Sequence, residues 1–128
     1  MPDELLNYNE ELTYTYRGER FTGIGYADVR GHGLSEISYV DGAQDGPARD
    51  WYPSGQLKYE ANYRQNARHG ATRQYREDGS LVSVAIYDHG VLVRSVTFDI
   101  GGKIIDYYEI SENGPNFAQL QRLREKDG

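Results

Sequence analysis

Between Leu57 and Tyr63 the chain alternates: Leu57, Tyr59, Ala61 and Tyr63 are apolar or aromatic, and Lys58, Glu60 and Asn62 are polar. A period of two marks a half-buried β-strand, because successive side chains leave opposite faces of the backbone. The pattern recurs at a fixed interval. The segment from Gly42, GAQDGPARDWYPSGQLKYEANY, is followed from Asn66 by NARHGATRQYREDGSLVSVAIY. Gly46 and Gly70 are 24 apart, as are Trp51 and Tyr75, Gly55 and Gly79, Leu57 and Leu81, and Tyr63 and Tyr87. Backward, Tyr39 precedes Tyr63 and Gly18 precedes Gly42 by 24, and forward, Phe98, Gly102, Ile104 and Ile110 continue the series at 23. A unit of this length with strand periodicity predicts stacked hairpins.

Each unit has the same grammar. A first strand ends in an aromatic residue (Trp51, Tyr75, Phe98), and a glycine turn follows at Ser54-Gly55, Asp78-Gly79 or Gly101-Gly102. An alternating second strand then leads to a second turn at Asp41-Gly42, Asn66 or His89-Gly90. The predicted fold class is mainly β: an antiparallel hairpin-repeat meander with a period of about 23–24 residues, in one domain of 128 residues. An N-terminal hairpin over 1–22 places Leu12, Tyr14 and Tyr16 on one face with its turn at Gly18-Glu19, and the repeats occupy 23–110. The first unit is irregular, since Leu34 lies 23 before Leu57 while Tyr39 lies 24 before Tyr63. A bulge or altered loop near Gly31–Gly33 is expected to absorb the difference. After Pro115 the stripe Phe117, Leu120, Leu123 predicts a short C-terminal helix over 115–126. Val82, Val84 and Ile86 are apolar where the preceding unit has Lys58, Glu60 and Asn62, so this helix is expected to cover that face and shield the end of the sheet.

Composition adds that the core must be aromatic. Tyrosine occupies 12 positions and glycine 15, with a mean hydropathy of -0.79. Tyrosine suits a half-buried pleated surface, where its ring packs and its hydroxyl stays wet. The absence of cysteine excludes disulfides, thiol catalysis and thiolate zinc sites. The acidic start MPDELLNYNEEL has no apolar signal region, and no apolar run reaches bilayer length, so a cytoplasmic protein is expected. The net charge is -6, and residues 1–40 hold seven acids against three bases. Such a surface repels nucleic acid and anionic lipid and attracts basic partners.

The run from FTG at 21–23 through DGAQDG, WYPSGQLKYEANY, RHGATRQYREDGSL and IYDHG resembles the MORN-repeat variant of bacterial YwqK-like antitoxins. Trp51-Tyr52, Gly55, Leu57, Glu60 and Tyr63 carry the best match, and the likeness extends over about residues 12–110. Departures are Asn66-Ala67 in a link that usually holds glycine, Val84 at the acidic position, and the two chain ends. The resemblance implies an antitoxin or immunity protein of a polymorphic toxin system, which binds a toxin made by the same cell and blocks its active site by occlusion. The other function class it admits is a MORN-like scaffold that organises a protein assembly or a membrane surface.

No catalytic constellation stands out. Ser-His-Asp order, a nucleophile elbow, a phosphate loop and HExxH are all missing, so no enzyme, cofactor or metal is expected. His32, His69 and His89 are scattered without a second histidine or carboxylate at ligand spacing, and His69 and His89 read as solvated turn residues. The tyrosines could stack bases, but the bases of residues 41–99 are nearly cancelled by acids, which leaves no phosphate-holding stripe. Periodic Tyr39, Tyr63 and Tyr87 are expected on the packed face, and off-period Tyr26 and Tyr52 on the surface. The candidate toxin-binding residues are therefore Asp45, Asp50, Trp51, Tyr52, Glu77, Asp78 and Tyr26. Acids near hairpin ends, Asp88 among them, would steer a basic toxin, such as a nuclease or another enzyme with a basic cleft.

Overall fold

A computed structural model describes residues 1–8, 13–29 and 31–127, so Leu12 lies outside the described residues. A 3-10 turn at Asp3–Leu5 leads into a small sheet of β1 (Asn7–Tyr8), β2 (Tyr14–Tyr16) and β3 (Glu19–Arg20). The large sheet holds β4 (Gly23–Val29), β5 (Gly33–Val40), β6 (Ala43–Trp51), β7 (Leu57–Arg64), β9 (Gly70–Tyr75), β10 (Leu81–Asp88), β11 (Val91–Phe98) and β12 (Ile104–Glu109) in chain order. A two-residue strand, β8 (Ala67–Arg68), returns against β7. Neighbours in this sheet pair antiparallel, as the hairpin pattern predicts. The last element is a helix, α1 (Pro115–Asp127), one residue longer than expected.

Two alternating turn types generate the repeat. In the first, the N–H groups of Tyr52, Arg76 and Asp99 donate to the carbonyls of Gln56, Ser80 and Lys103 at 2.9, 2.8 and 2.8 Å. Gly55, Gly79 and Gly102 then donate back to Tyr52, Arg76 and Asp99. The second type is a two-residue turn with positive φ at both positions, the arrangement whose twist matches paired strands. It occurs at Arg17-Gly18, Asp41-Gly42, Gln65-Asn66 and His89-Gly90, each 24 residues after the last. Asn66 stands where the others have glycine, at φ 70°. Asparagine enters this region more readily than most residues, and here its Oδ1 accepts the Gln44 N–H at 2.9 Å.

The register also accounts for the irregular first unit. After each first-type turn one residue goes unpaired in the ladder: Lys58, Val82 and Ile105. The β4–β5 hairpin has no such bulge and pairs without a break from Gly23↔Tyr39 to Val29↔Gly33. The missing residue shortens the path from Leu34 to Tyr39. The difference is thus a changed turn at Gly31–Gly33, where both glycines take positive φ and no bulge follows in β5, which is one of the two outcomes expected there.

One line of paired residues crosses the whole sheet: Tyr26, Glu36, Arg49, Glu60, Arg73, Val84, Val96, Tyr107. This face is charged as far as β9 and apolar from β10 onward. Arg124 of α1 bonds Asp88 from the same face, with Nε and Nη2 at 3.0 and 2.7 Å from Oδ2. One turn earlier Leu120 is only 1% exposed, and Phe117 and Leu123 are the next most sheltered helical residues. The helix therefore sits toward the apolar end, as its stripe predicts. On the opposite face, at the opposite end, the N-terminal hairpin covers β5. Tyr39 is 3% exposed between the rings of Tyr14 and Phe21, at centroid distances of 4.9 and 5.6 Å. The middle of that face is a row of small residues, with Ala48 and Ala61 buried and directly paired.

Candidate functional site

The antiparallel path puts all first-type turns on one rim and all two-residue turns on the other, and this separates the expected contact residues. Asp50, Trp51, Tyr52, Glu77 and Asp78 lie on the first rim, at the β6–β7 and β9–β10 turns. Asp45 lies on the opposite rim, and its Oδ2 accepts the Gln65 N–H at 3.3 Å. Tyr26 is 42% exposed in the outer strand β4, where its N–H donates to the Met1 carbonyl at 2.7 Å.

The first rim carries an open cleft of about 500 Å³ lined by Asp28, Leu34, Trp51, Tyr52, Pro53 and three glycines. Gly33 is required here: a Cβ added to it would lie 2.0 Å from the Trp51 carbonyl oxygen. Tyr52 is half-buried rather than exposed. Its hydroxyl donates to the Tyr75 carbonyl at 2.7 Å, tying one repeat to the next, and Lys58 Nζ lies 5.5 Å from its ring centroid. Of the acids, Asp78 closes its own turn by accepting the Ser80 N–H at 2.8 Å. Hydrogen bonds from the Ser80 side chain and backbone hold the Asp78 carboxyl below its usual range. Glu77 is exposed and Asp50 half-buried, and these two are the acids whose charge can act on a partner without unmaking a turn.

Three features of the other rim and the open edge escaped the sequence. The first is Arg68 in β8, paired with Tyr63 directly through the two-residue turn. Its guanidinium donates to the hydroxyls of Tyr59 and Tyr87 at 3.0 and 3.2 Å and is also hydrogen-bonded to Tyr63. Those bonds push its pKa further up, and burial pushes up that of the Tyr59 phenol. The expected packing of the periodic tyrosines therefore holds for Tyr39, while Tyr63 and Tyr87 serve as half-buried partners of an arginine.

The second is the meeting of His69 and His89. Their rings lie edge to face at 5.4 Å, and both Nδ1 atoms face Oδ1 of Asp88. They are half-buried neighbours with a shared carboxylate, not isolated turn residues. The β10–β9 register brings together what 20 residues of sequence separate.

The third is β12, exposed along its whole length. Ile104, Ile105 and Tyr107 are 56, 61 and 56% exposed, with Tyr108 beside them and Ile100 in the preceding turn. An apolar outer strand of this kind offers unpaired backbone groups and hydrophobic surface together.

Residues 44–65 match a family model described as a MORN repeat variant. They span most of β6, its turn and all of β7, so the match falls on one complete MORN-type hairpin. The same turn hydrogen bonds recur 24 and 47 residues later. No curated protein matches the chain. A repeat-bearing scaffold of this sort presents extended sheet faces for contact with other proteins. Among the described residues no helix is long and apolar enough to cross a membrane.

Proposed function

We propose that the chain is a cytoplasmic immunity protein that binds one cognate toxin domain and blocks its active site by occlusion, with no catalysis of its own. The observation that carries this reading is the rim cleft. It brings Trp51 and Tyr52 of the MORN-type hairpin together with Asp28, while Asp50 precedes Trp51 on the same rim and Glu77 lies on the next turn. Aromatic anchors with acids on the same rim suit a basic protein surface, where charge sets the encounter rate and buried rings set the lifetime. The acidic balance of -6 favours such a partner over nucleic acid or an anionic membrane.

The test is co-purification of the toxin domain encoded beside this chain, followed by binding kinetics. Reversing Asp50 and Glu77 should slow association at low salt by about tenfold and leave dissociation unchanged. Trp51→Ala should speed dissociation. Reversing Asp45 or Asp78 is a poorer probe, because each accepts a backbone N–H of a turn. If no neighbouring toxin binds, the immunity reading fails.

The second reading, a scaffold that organises a protein assembly, is favoured by the bare apolar edge at β12. Replacing Ile104 and Tyr107 with lysine would abolish assembly on that reading. On the immunity reading it would leave toxin binding intact.

A further inference from the structure

The turn between β10 and β11 and the strand break before β9 together place two imidazoles and a carboxylate in one half-buried cluster. The ligand atoms of His69, Asp88 and His89 all lie within 4.8 Å of one another. Their side chains are 35, 23 and 19% exposed, open enough for an ion to enter and sheltered enough to hold it.

The hydrogen bonds fix the state of one ring. His69 Nδ1 accepts the backbone N–H of His89 at 3.3 Å, so it carries a lone pair and its proton is on Nε2. Asp88 Oδ1 lies 3.6 Å from the same nitrogen, so an ion bound there would take that lone pair from the His89 N–H. The spacing also suits a shared ion: two ligand atoms each about 2.1 Å from a tetrahedral zinc are about 3.4 Å apart. His89 Nδ1 hydrogen-bonds the same Oδ1 and lies closer to it than a shared ion would leave it. Binding would exchange that proton for the ion and move the ring slightly outward.

We propose that His69, Asp88 and His89 form a binding site for a divalent transition metal of the zinc type. Two imidazole nitrogens and one carboxylate oxygen are a borderline donor set that suits zinc, cobalt and nickel better than calcium or magnesium. Three protein ligands leave a position open to water or to a group from a partner. Arg124 already occupies Asp88 Oδ2, so it either supports the carboxylate from behind or competes for it. The ion would join the His89-Gly90 turn to the residue just before β9, and through Asp88 to α1.

The experiment uses the untagged full chain. Cobalt chloride is titrated while visible d–d absorption is followed, and zinc chloride is titrated by calorimetry. The expected result is one ion per chain, with tetrahedral cobalt bands and a melting temperature raised by zinc. His69→Ala and His89→Ala should each weaken binding by more than about 100-fold, beyond what loss of a supporting partner costs. His32→Ala, at the far rim, should change nothing. Circular dichroism without metal checks that each variant folds, and the wild-type cobalt spectrum decides the matter if the histidine variants do not. Absence of cobalt bands in the wild type, or zinc affinity that His69→Ala leaves unchanged, overturns the site.

Discussion

The two halves of the large sheet keep one face in order by different means. From β4 to β9 the line of paired residues is Tyr26, Glu36, Arg49, Glu60, Arg73, and the acid and base positions alternate. Arg49 Nε bonds Glu60 Oε2 at 2.7 Å, and Arg73 Nη1 lies 3.7 Å from Glu60 Oε1. From β10 to β12 the same line reads Val84, Val96, Tyr107, and α1 sits toward that end. A charged row satisfies itself across strands and stays in water, each opposed pair contributing about 0.2–1 kcal/mol. An apolar row gains only when something covers it. The sequence changes strategy at one strand boundary, and a helix becomes necessary there and not before.

The comparison breaks first at the helix. Leu120→Asp is expected to destabilise the fold by about 4 kcal/mol in urea denaturation, since it places a charge where the leucine is fully enclosed. A loss below about 1 kcal/mol would mean that α1 is not what shelters the apolar half.

Next in size is a test of whether both halves share one backbone. Asn66→Ala should cost about 1–2 kcal/mol, because alanine enters positive φ at that price. Asn66→Gly should be near neutral, since the other three two-residue turns carry glycine there. Equal effects from both would show that the Asn66 side chain, which accepts the Gln44 N–H at 2.9 Å, matters more than its φ.

Glu60→Gln sharpens the contrast from the charged side. It leaves two guanidiniums flanking a neutral amide, and a loss of about 1 kcal/mol is expected, shrinking as salt is added. A salt-independent loss would indicate that packing, not charge, holds that row.

The smallest effect concerns Asp88. Burial raises its pKa, but hydrogen bonds and charge from Arg124 and His89 outweigh that and hold it below the usual carboxylate range. A depressed folded pKa means a contribution that is complete above the unfolded value near 3.9 and is lost as pH falls through the folded one. Asp88→Asn should therefore lower stability at neutral pH by a fraction of a kcal/mol and flatten its decline below about pH 4. An unchanged acid limb would show that the Arg124 contact adds nothing to stability.

What the sequence made legible was whatever repeats. The alternation around Tyr59, the glycines at 24-residue spacing and the stripe at Phe117, Leu120 and Leu123 each reflect a period of the backbone, and each appears where expected. The bulges at Lys58, Val82 and Ile105 did not stand out, because an unpaired residue has no composition of its own. Only the shorter path from Leu34 to Tyr39 hinted at them. The expected contact residues were chosen as acids and aromatics near hairpin ends, and a linear reading does not say which end. Asp45 and Asp50, five residues apart, fall on opposite rims because a strand runs between them. Arg68 and the His69–Asp88–His89 cluster were hidden for a related reason: register across strands, not spacing along the chain, makes them neighbours.

The alternation of Glu36, Arg49, Glu60 and Arg73 has a consequence for how such a molecule can change in length. A duplicated hairpin inserts one acid and one base, so the row stays alternating whatever the number of copies. The duplicated block also begins and ends in the same two-residue turn, so the new strands enter in register without adjustment elsewhere. Each copy would widen the sheet by two strands, about 10 Å. The N-terminal hairpin and α1, on opposite faces at opposite ends, would simply move apart. Width is thus the dimension most open to gene duplication in this architecture, and the separation of its two covered ends could be set like the marks on a ruler.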